Sequence, residues 1–131
     1  MVYLTTGLEN VSVNTPITFT ESKGEVTVVP TNTIVLSKCG NYGIFVQASV
    51  SNNTSATATV GIQIYENGVP VTNATSQSIS AGATSWVSLS IPYATTVKKS
   101  CQCVDNTKRI QVVVTGVNAV VSSAQILVER V

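Results

Sequence analysis

Between Ala56 and Tyr65 the chain alternates with a period of two. Ala56, Ala58, Val60, Ile62 and Ile64 share one face of an extended chain, and Thr57, Thr59, Gly61, Gln63 and Tyr65 share the other. A helix, repeating every 3.6 residues, would scatter these two sets, so the segment predicts a half-buried antiparallel strand. The pattern recurs at Tyr42, Ile44, Val46, Ala48 and Val50, which end at the turn-forming Ser51-Asn52-Asn53. It recurs again at Val87, Leu89 and Ile91, opposed to Trp86, Ser88 and Ser90, and Pro92 is expected to end that strand. Val, Ile and Thr make up 50 of the 131 residues. Their branched Cβ atoms stiffen χ1 and suit a pleated surface better than a helix.

Turn chemistry places the breaks. Glu66-Asn67-Gly68-Val69 follows the clearest strand, and Asn-Gly accepts the two positive φ values of a type I′ turn, so the chain should return as a hairpin through Val71. Further strands are predicted at Ser12 to Phe19, Val26 to Val29, Ile34 to Leu36, Arg109 to Thr115 and Ser123 to Val131. Helical patterning and internal repeats are absent, which leaves one all-β domain built as a sandwich, a barrel or a jelly roll. The longest irregular stretch, Tyr93 to Lys108, is read as a loop.

The composition narrows the chemistry. His is absent, which removes the Ser-His-Asp triad, the Cys-His pair and every His-ligated metal site. No nucleophile elbow or phosphate-cradling glycine loop occurs, and Glu21 and Glu25, around Lys23-Gly24, read as a solvated turn. No catalytic residue, cofactor or metal is assigned, and the expectation is a protein that is not an enzyme. Cys39, Cys101 and Cys103 read as small hydrophobes at the core or loop base; the sharper alternative is metal or an interchain disulfide where copies meet on a threefold axis. Lys98, Lys99, Lys108 and Arg109 form the one basic cluster, beside Asp105. Tyr93 is the one aromatic near it, and the net charge is +1, so no nucleic-acid partner is expected. No apolar run approaches membrane-span length, and Met1 to Asn10 does not read as a secretory signal.

What stands out is an apolar surplus. Only 10% of residues are charged while 44% are hydrophobic, and Trp86 and Phe45 lie opposite the faces assigned to the core. Part of the surface should therefore be covered by other subunits.

The string Cys39-Gly40-Asn41-Tyr42-Gly43-Ile44-Phe45-Val46-Gln47-Ala48-Ser49-Val50 resembles the "G-x-Y-x-(I/V/F)" strand of tumour necrosis factor-like and complement-head-like jelly rolls. Ile64-Tyr65-Glu66-Asn67-Gly68-Val69-Pro70-Val71 is similar to the "L-Y-x-N-G-x-x-V" hairpin of bacterial and phage members, the heads of collagen-like spore-surface proteins and of phage structural proteins. Ile126-Leu127-Val128-Glu129-Arg130-Val131 is similar to their last strand, and a Cys-x-Cys segment recurs there. The resemblance implies a two-sheet antiparallel jelly-roll sandwich of about ten strands that assembles as a non-enzymatic homotrimer. Residues 1–25 would be an N-terminal arm and first strand that attaches the head, and residues 26–131 the rest of the single domain. With no Gly-X-Y stalk and no export signal, the expectation is a phage virion component assembled in the host cytoplasm. It would be a capsid decoration or head-fibre protein whose partners are other virion proteins such as the capsid. The alternatives are a tail-associated receptor-binding tip, a carbohydrate-binding module that takes a surface glycan, or a protein of the bacterial cell or spore surface. In the resembled fold the strands holding Phe45, Trp86 and Leu127 share a sheet whose outer face packs against neighbours. Parity then nominates Phe45, Gln47, Trp86, Ser88, Gln125 and Leu127 as the trimer interface.

Overall fold

The computed structural model describes residues 2–6, 8–19, 21–23, 27–28, 32–98 and 107–131. They form eleven strand segments and no helix: β1 Val2–Thr6, β2 Glu9–Val11, β3 Glu21–Lys23, β4 Thr27–Val28, β5 Ile34–Leu36, β6 Gly40–Asn52, β7 Ala58–Glu66, β8 Val69–Ser80, β9 Val87–Val97, β10 Lys108–Thr115 and β11 Ala119–Arg130. The count departs from the ten expected because β2 to β5 are fragments of two or three residues.

Two antiparallel sheets stack face to face as a jelly roll. The first runs β3-β1-β11-β6-β9, with β2 also on β11; the second runs β4-β5-β10-β7-β8. From β5 onward the chain changes sheet at every connection except the β7–β8 hairpin: β5 to β6, β6 to β7, β8 to β9, β9 to β10 and β10 to β11. Pairs distant in sequence thus become neighbours, and Ile126 on β11 lies opposite Val46 on β6. Residues 1–25 contribute β1, β2 and β3 to the first sheet.

The predicted alternation is what fills the core. Tyr42, Ile44, Val46, Ala48 and Val50 of β6 are buried, as are Val60, Ile62 and Ile64 of β7, Leu89 and Ile91 of β9, and Ile110, Val112 and Val114 of β10. Each fully buried Ile, Leu or Val contributes roughly 1.5–3 kcal/mol over its exposed state. Asn67 and Gly68 adopt φ of 52° and 81°, as the type I′ hairpin requires.

Four expectations are corrected. The strand after Trp86 does not stop at Pro92 but runs to Val97, with Pro92 opposite Phe45. The strand β9 is the last in its sheet, and an edge strand points alternate N–H groups away from its neighbour, so a proline can sit within it. The irregular stretch from Tyr93 is therefore shorter than expected; residues 99–106, with Cys101 and Cys103, lie outside the described residues. Ser12 to Phe19 is not a regular strand: Asn14 at φ 65° breaks the extended chain and Pro16 lacks an N–H. The segment still lies along β10, through a Pro16–Val113 bridge and Ile17 N–H donating to the Val112 carbonyl at 2.8 Å. Last, β11 begins at Ala119 rather than Ser123. An irregularity between Val121 and Ser123 shifts the inward positions from Ala119 and Val121 to Ala124, Ile126 and Val128, which disguised the alternation. Of the strand predicted at Val26 to Val29, Thr27–Val28 is present as β4, and both end residues lie outside the described set.

Candidate functional site

The outer face of the first sheet gathers the residues nominated for assembly. Register aligns three rows across β11, β6 and β9: Leu127, Phe45 and Pro92; Gln125, Gln47 and Ser90; Ser123, Ser49 and Ser88. In the first row Phe45 is 38% exposed and Leu127 half-buried. In the second, Gln125 Nε2 donates to Gln47 Oε1 at 2.6 Å. Trp86 precedes β9, 44% exposed, on the same parity as Ser88. Six residues along the strand separate it from Pro92, roughly 20 Å at strand rise. The structure thus brings Phe45, Gln47, Gln125 and Leu127 together and sets Trp86 at the far end of a stripe, with Ser88 between. Pro92 belongs to the apolar row and was missed, because in sequence it reads as a strand stop. Along the outward positions of the described β6, β9 and β11 only Glu129 is charged.

A second constellation ties the two sheets at one edge. The Glu66 carboxylate, at the end of β7, accepts a hydrogen bond from the Tyr93 hydroxyl on β9, another from Thr95 Oγ1 at 3.1 Å, and an ion pair from Lys108 Nζ on β10 at 2.8 Å. Burial alone would raise the Glu66 pKa, but the hydrogen bonds from Lys108, Tyr93 and Thr95 and the ammonium charge hold it below its ordinary value. Burial first, then the bond to Glu66 and its charge, push the Tyr93 hydroxyl up to about 12. Tyr93 is thus a proton donor throughout the neutral range and the carboxylate is fully engaged, which makes the cluster a tie between sheets rather than an acid–base pair. The basic cluster read from the sequence is accordingly reduced, since Lys108 is neutralised by Glu66 and Lys99 lies outside the described residues.

The tie carries a pH signature. A carboxyl held low in the fold adds stability above its unfolded pKa of about 4.3, and that contribution is lost as pH falls through the folded value. Glu66→Gln should cost about 1 kcal/mol at pH 7, discounted for partial exposure, and the gap to wild type should shrink below about pH 4 in urea titrations. A gap that is the same at pH 7 and pH 3 would remove the ion pair from the account.

Cys39 is exposed and forms no disulfide among the described residues, within which no group of three His, Cys, Asp or Glu is placed to hold a metal. The aromatic platform expected of a carbohydrate-binding module is sparse. Tyr42 is buried, with its hydroxyl on the Lys38 carbonyl at 2.7 Å, Tyr65 is half-buried on β7 and Tyr93 is engaged by Glu66, so Trp86 and Phe45 are the exposed aromatic rings among the described residues.

No protein-family model matches the chain, and no curated protein matches it. Solved structures do. The fold is similar to that of murine APRIL at pH 5.0, with a TM-score of 0.60 and 13% identity over 95% of this chain and 96% of that one. It is also similar to the globular domain of zebrafish complement 1qA protein, with a TM-score of 0.57 and 10% identity over 98% of each chain. The fold is therefore a tumour necrosis factor-like and complement-head-like jelly roll.

Proposed function

We propose that this chain is a non-enzymatic head domain that works as a homotrimer, packing the outer faces of its first sheet against neighbouring subunits. The observation that carries the reading is the Leu127–Phe45–Pro92 row beside the Gln125–Gln47 pair, on strands whose outward positions hold a single charged residue. Interface cores are depleted of charge and use apolar anchors with neutral hydrogen-bonding groups around them. The absence of His and the saturation of Glu66 by three donors agree with a binding role rather than a reaction. The order of the motifs from Cys39 to Val131 supports a place in a phage virion, as a capsid decoration or head-fibre protein contacting the capsid. Residues 1–25 would serve attachment, and the alternative is a tail-associated receptor-binding tip.

Light scattering across a dilution series tests assembly: the expected mass is that of three chains, and a monomer at micromolar concentration would overturn the proposal. Phe45→Ala and Trp86→Ala should each weaken assembly by about 2 kcal/mol or more, repeated at every subunit contact by symmetry. Val69→Ala, in the exposed β7–β8 hairpin, should leave the mass unchanged. If Phe45→Ala assembles normally while Trp86→Ala does not, the interface lies at the Trp86 end of the stripe.

A further inference from the structure

The geometry points to a binding site for an acidic sugar residue, a hydroxylated ring bearing a carboxylate, on the outer face of the second sheet. There a cleft of about 300 Å³ is lined by Thr33, Asn67, Gly68, Thr107, Arg109 and Gln111. Thr107, Arg109 and Gln111 have odd parity on the chain leading through β10, opposite the inward Ile110 and Val112, so the cleft opens away from the core. It also lies on the sheet that the proposed trimer leaves uncovered, so the inference does not depend on assembly.

The lining selects the ligand. Among the described residues that line the cleft none carries a carboxylate or an aliphatic or aromatic side chain, so an apolar ligand gains nothing from them and an anion meets no like charge among them. Arg109 is exposed, and its guanidinium makes no hydrogen bond or ion pair among the described residues, whereas the adjacent Lys108 is spent on Glu66. A guanidinium offers a planar fork that matches a carboxylate.

The floor is fixed around it. Asn67 Oδ1 accepts the Arg109 backbone N–H at 2.8 Å, and the Arg109 carbonyl accepts the Asn67 N–H at 2.8 Å, clamping the hairpin turn to the start of β10. This leaves the Asn67 side-chain amide free to donate. Gln111 Nε2 donates to Thr33 Oγ1 at 3.1 Å, which leaves Gln111 Oε1 to accept from a ligand hydroxyl. One cation surrounded by neutral donors and acceptors suits a monoanion carrying hydroxyls. A nucleic-acid strand would want a row of cations and stacking rings, and the described lining residues supply neither.

Backbone amide chemical-shift titration of the full chain with methyl β-glucuronide, methyl β-glucoside and inorganic phosphate tests this. The glucuronide should move the Gly68, Arg109 and Gln111 resonances, with an affinity about tenfold or more above the glucoside. Arg109→Gln should abolish that preference while leaving the mass by light scattering unchanged, so failure here and failure of the trimer are read separately. Equal affinity for glucuronide and glucoside, tighter binding of phosphate than of glucuronide, a preference that survives Arg109→Gln, or no shift at about 10 mM ligand would each overturn the proposal.

Discussion

Gly116→Ala should destabilise the fold by about 3 kcal/mol or more, lowering the melting temperature by about 10 °C or more. Gly116 lies between β10 and β11 at φ 85°, where an L side chain costs roughly 1–2 kcal/mol. A Cβ there would stand 2.5 Å from the backbone carbonyl oxygen of Thr59 on β7, a contact no rotamer can relieve. Either the turn or β7 must move, and β7 carries the fully buried Val60, Ile62 and Ile64. Gly68 makes the control. Its φ is 81°, nearly the same, but a Cβ at Gly68 would meet nothing within 4 Å. Gly68→Ala should therefore cost only the conformational part, about 1–2 kcal/mol. Thermal unfolding of both variants decides the matter, and equal losses would show that the approach of the Gly116 turn to β7 is not a constraint.

Asn52→Asp is expected to cost about 3–5 kcal/mol at pH 7. Asn52 ends β6 with no exposed surface, and its side chain is fully used. Nδ2 donates to the carbonyls of Ala56 at 3.1 Å and Ser80 at 2.9 Å, while Oδ1 accepts from Thr54 N–H at 2.9 Å and Thr54 Oγ1 at 2.6 Å. Its backbone N–H donates to Ser80 Oγ at 3.2 Å, and that hydroxyl in turn reaches the carbonyls of Gly82 and Ser85. One amide thus joins the β6–β7 turn to the end of β8 in the other sheet. A carboxylate would turn an acceptor toward two carbonyl oxygens and bury a charge without a cation. Its pKa in the fold would rise above the unfolded value of about 3.9, so the penalty grows as pH rises through that value and shrinks below it, where the protonated acid donates once. Urea midpoints at pH 7 and pH 3 measure this. A variant as stable as wild type at pH 7 would mean that the amide is not the tie between these segments.

Asn52 also marks the boundary of what the sequence could disclose. In Ser51-Asn52-Asn53 it reads as a turn residue, and the turn is there, yet nothing nearby in sequence announces that Ser80, 28 positions away, holds its amide. Glu66 behaves the same way. It reads as the shoulder of a hairpin, and its partners Tyr93 and Lys108 arrive from two other strands. The six nominated interface residues were legible as a face because parity alone orients them. That Phe45 and Leu127 are neighbours with Pro92, while Trp86 is set apart, required the register of β9 on β6. The Arg109 cleft was not legible, because Thr33, Asn67 and Gln111 meet only where β5, the hairpin turn and β10 converge.

By itself the sequence determined what depends on a residue and its immediate neighbours. It set the alternating strands of β6, β7 and the first half of β9, the face each of their side chains takes, and the type I′ turn at Asn67-Gly68, since β-branched sterics, period-two geometry and positive φ act within a few bonds. Only the tertiary structure decided which strands pair, that β9 continues through Pro92, where β11 shifts its parity, and which polar groups close the sandwich. Those outcomes depend on backbone and side-chain partners far apart along the chain, whose hydrogen bonds and packing exist only once the two sheets have stacked.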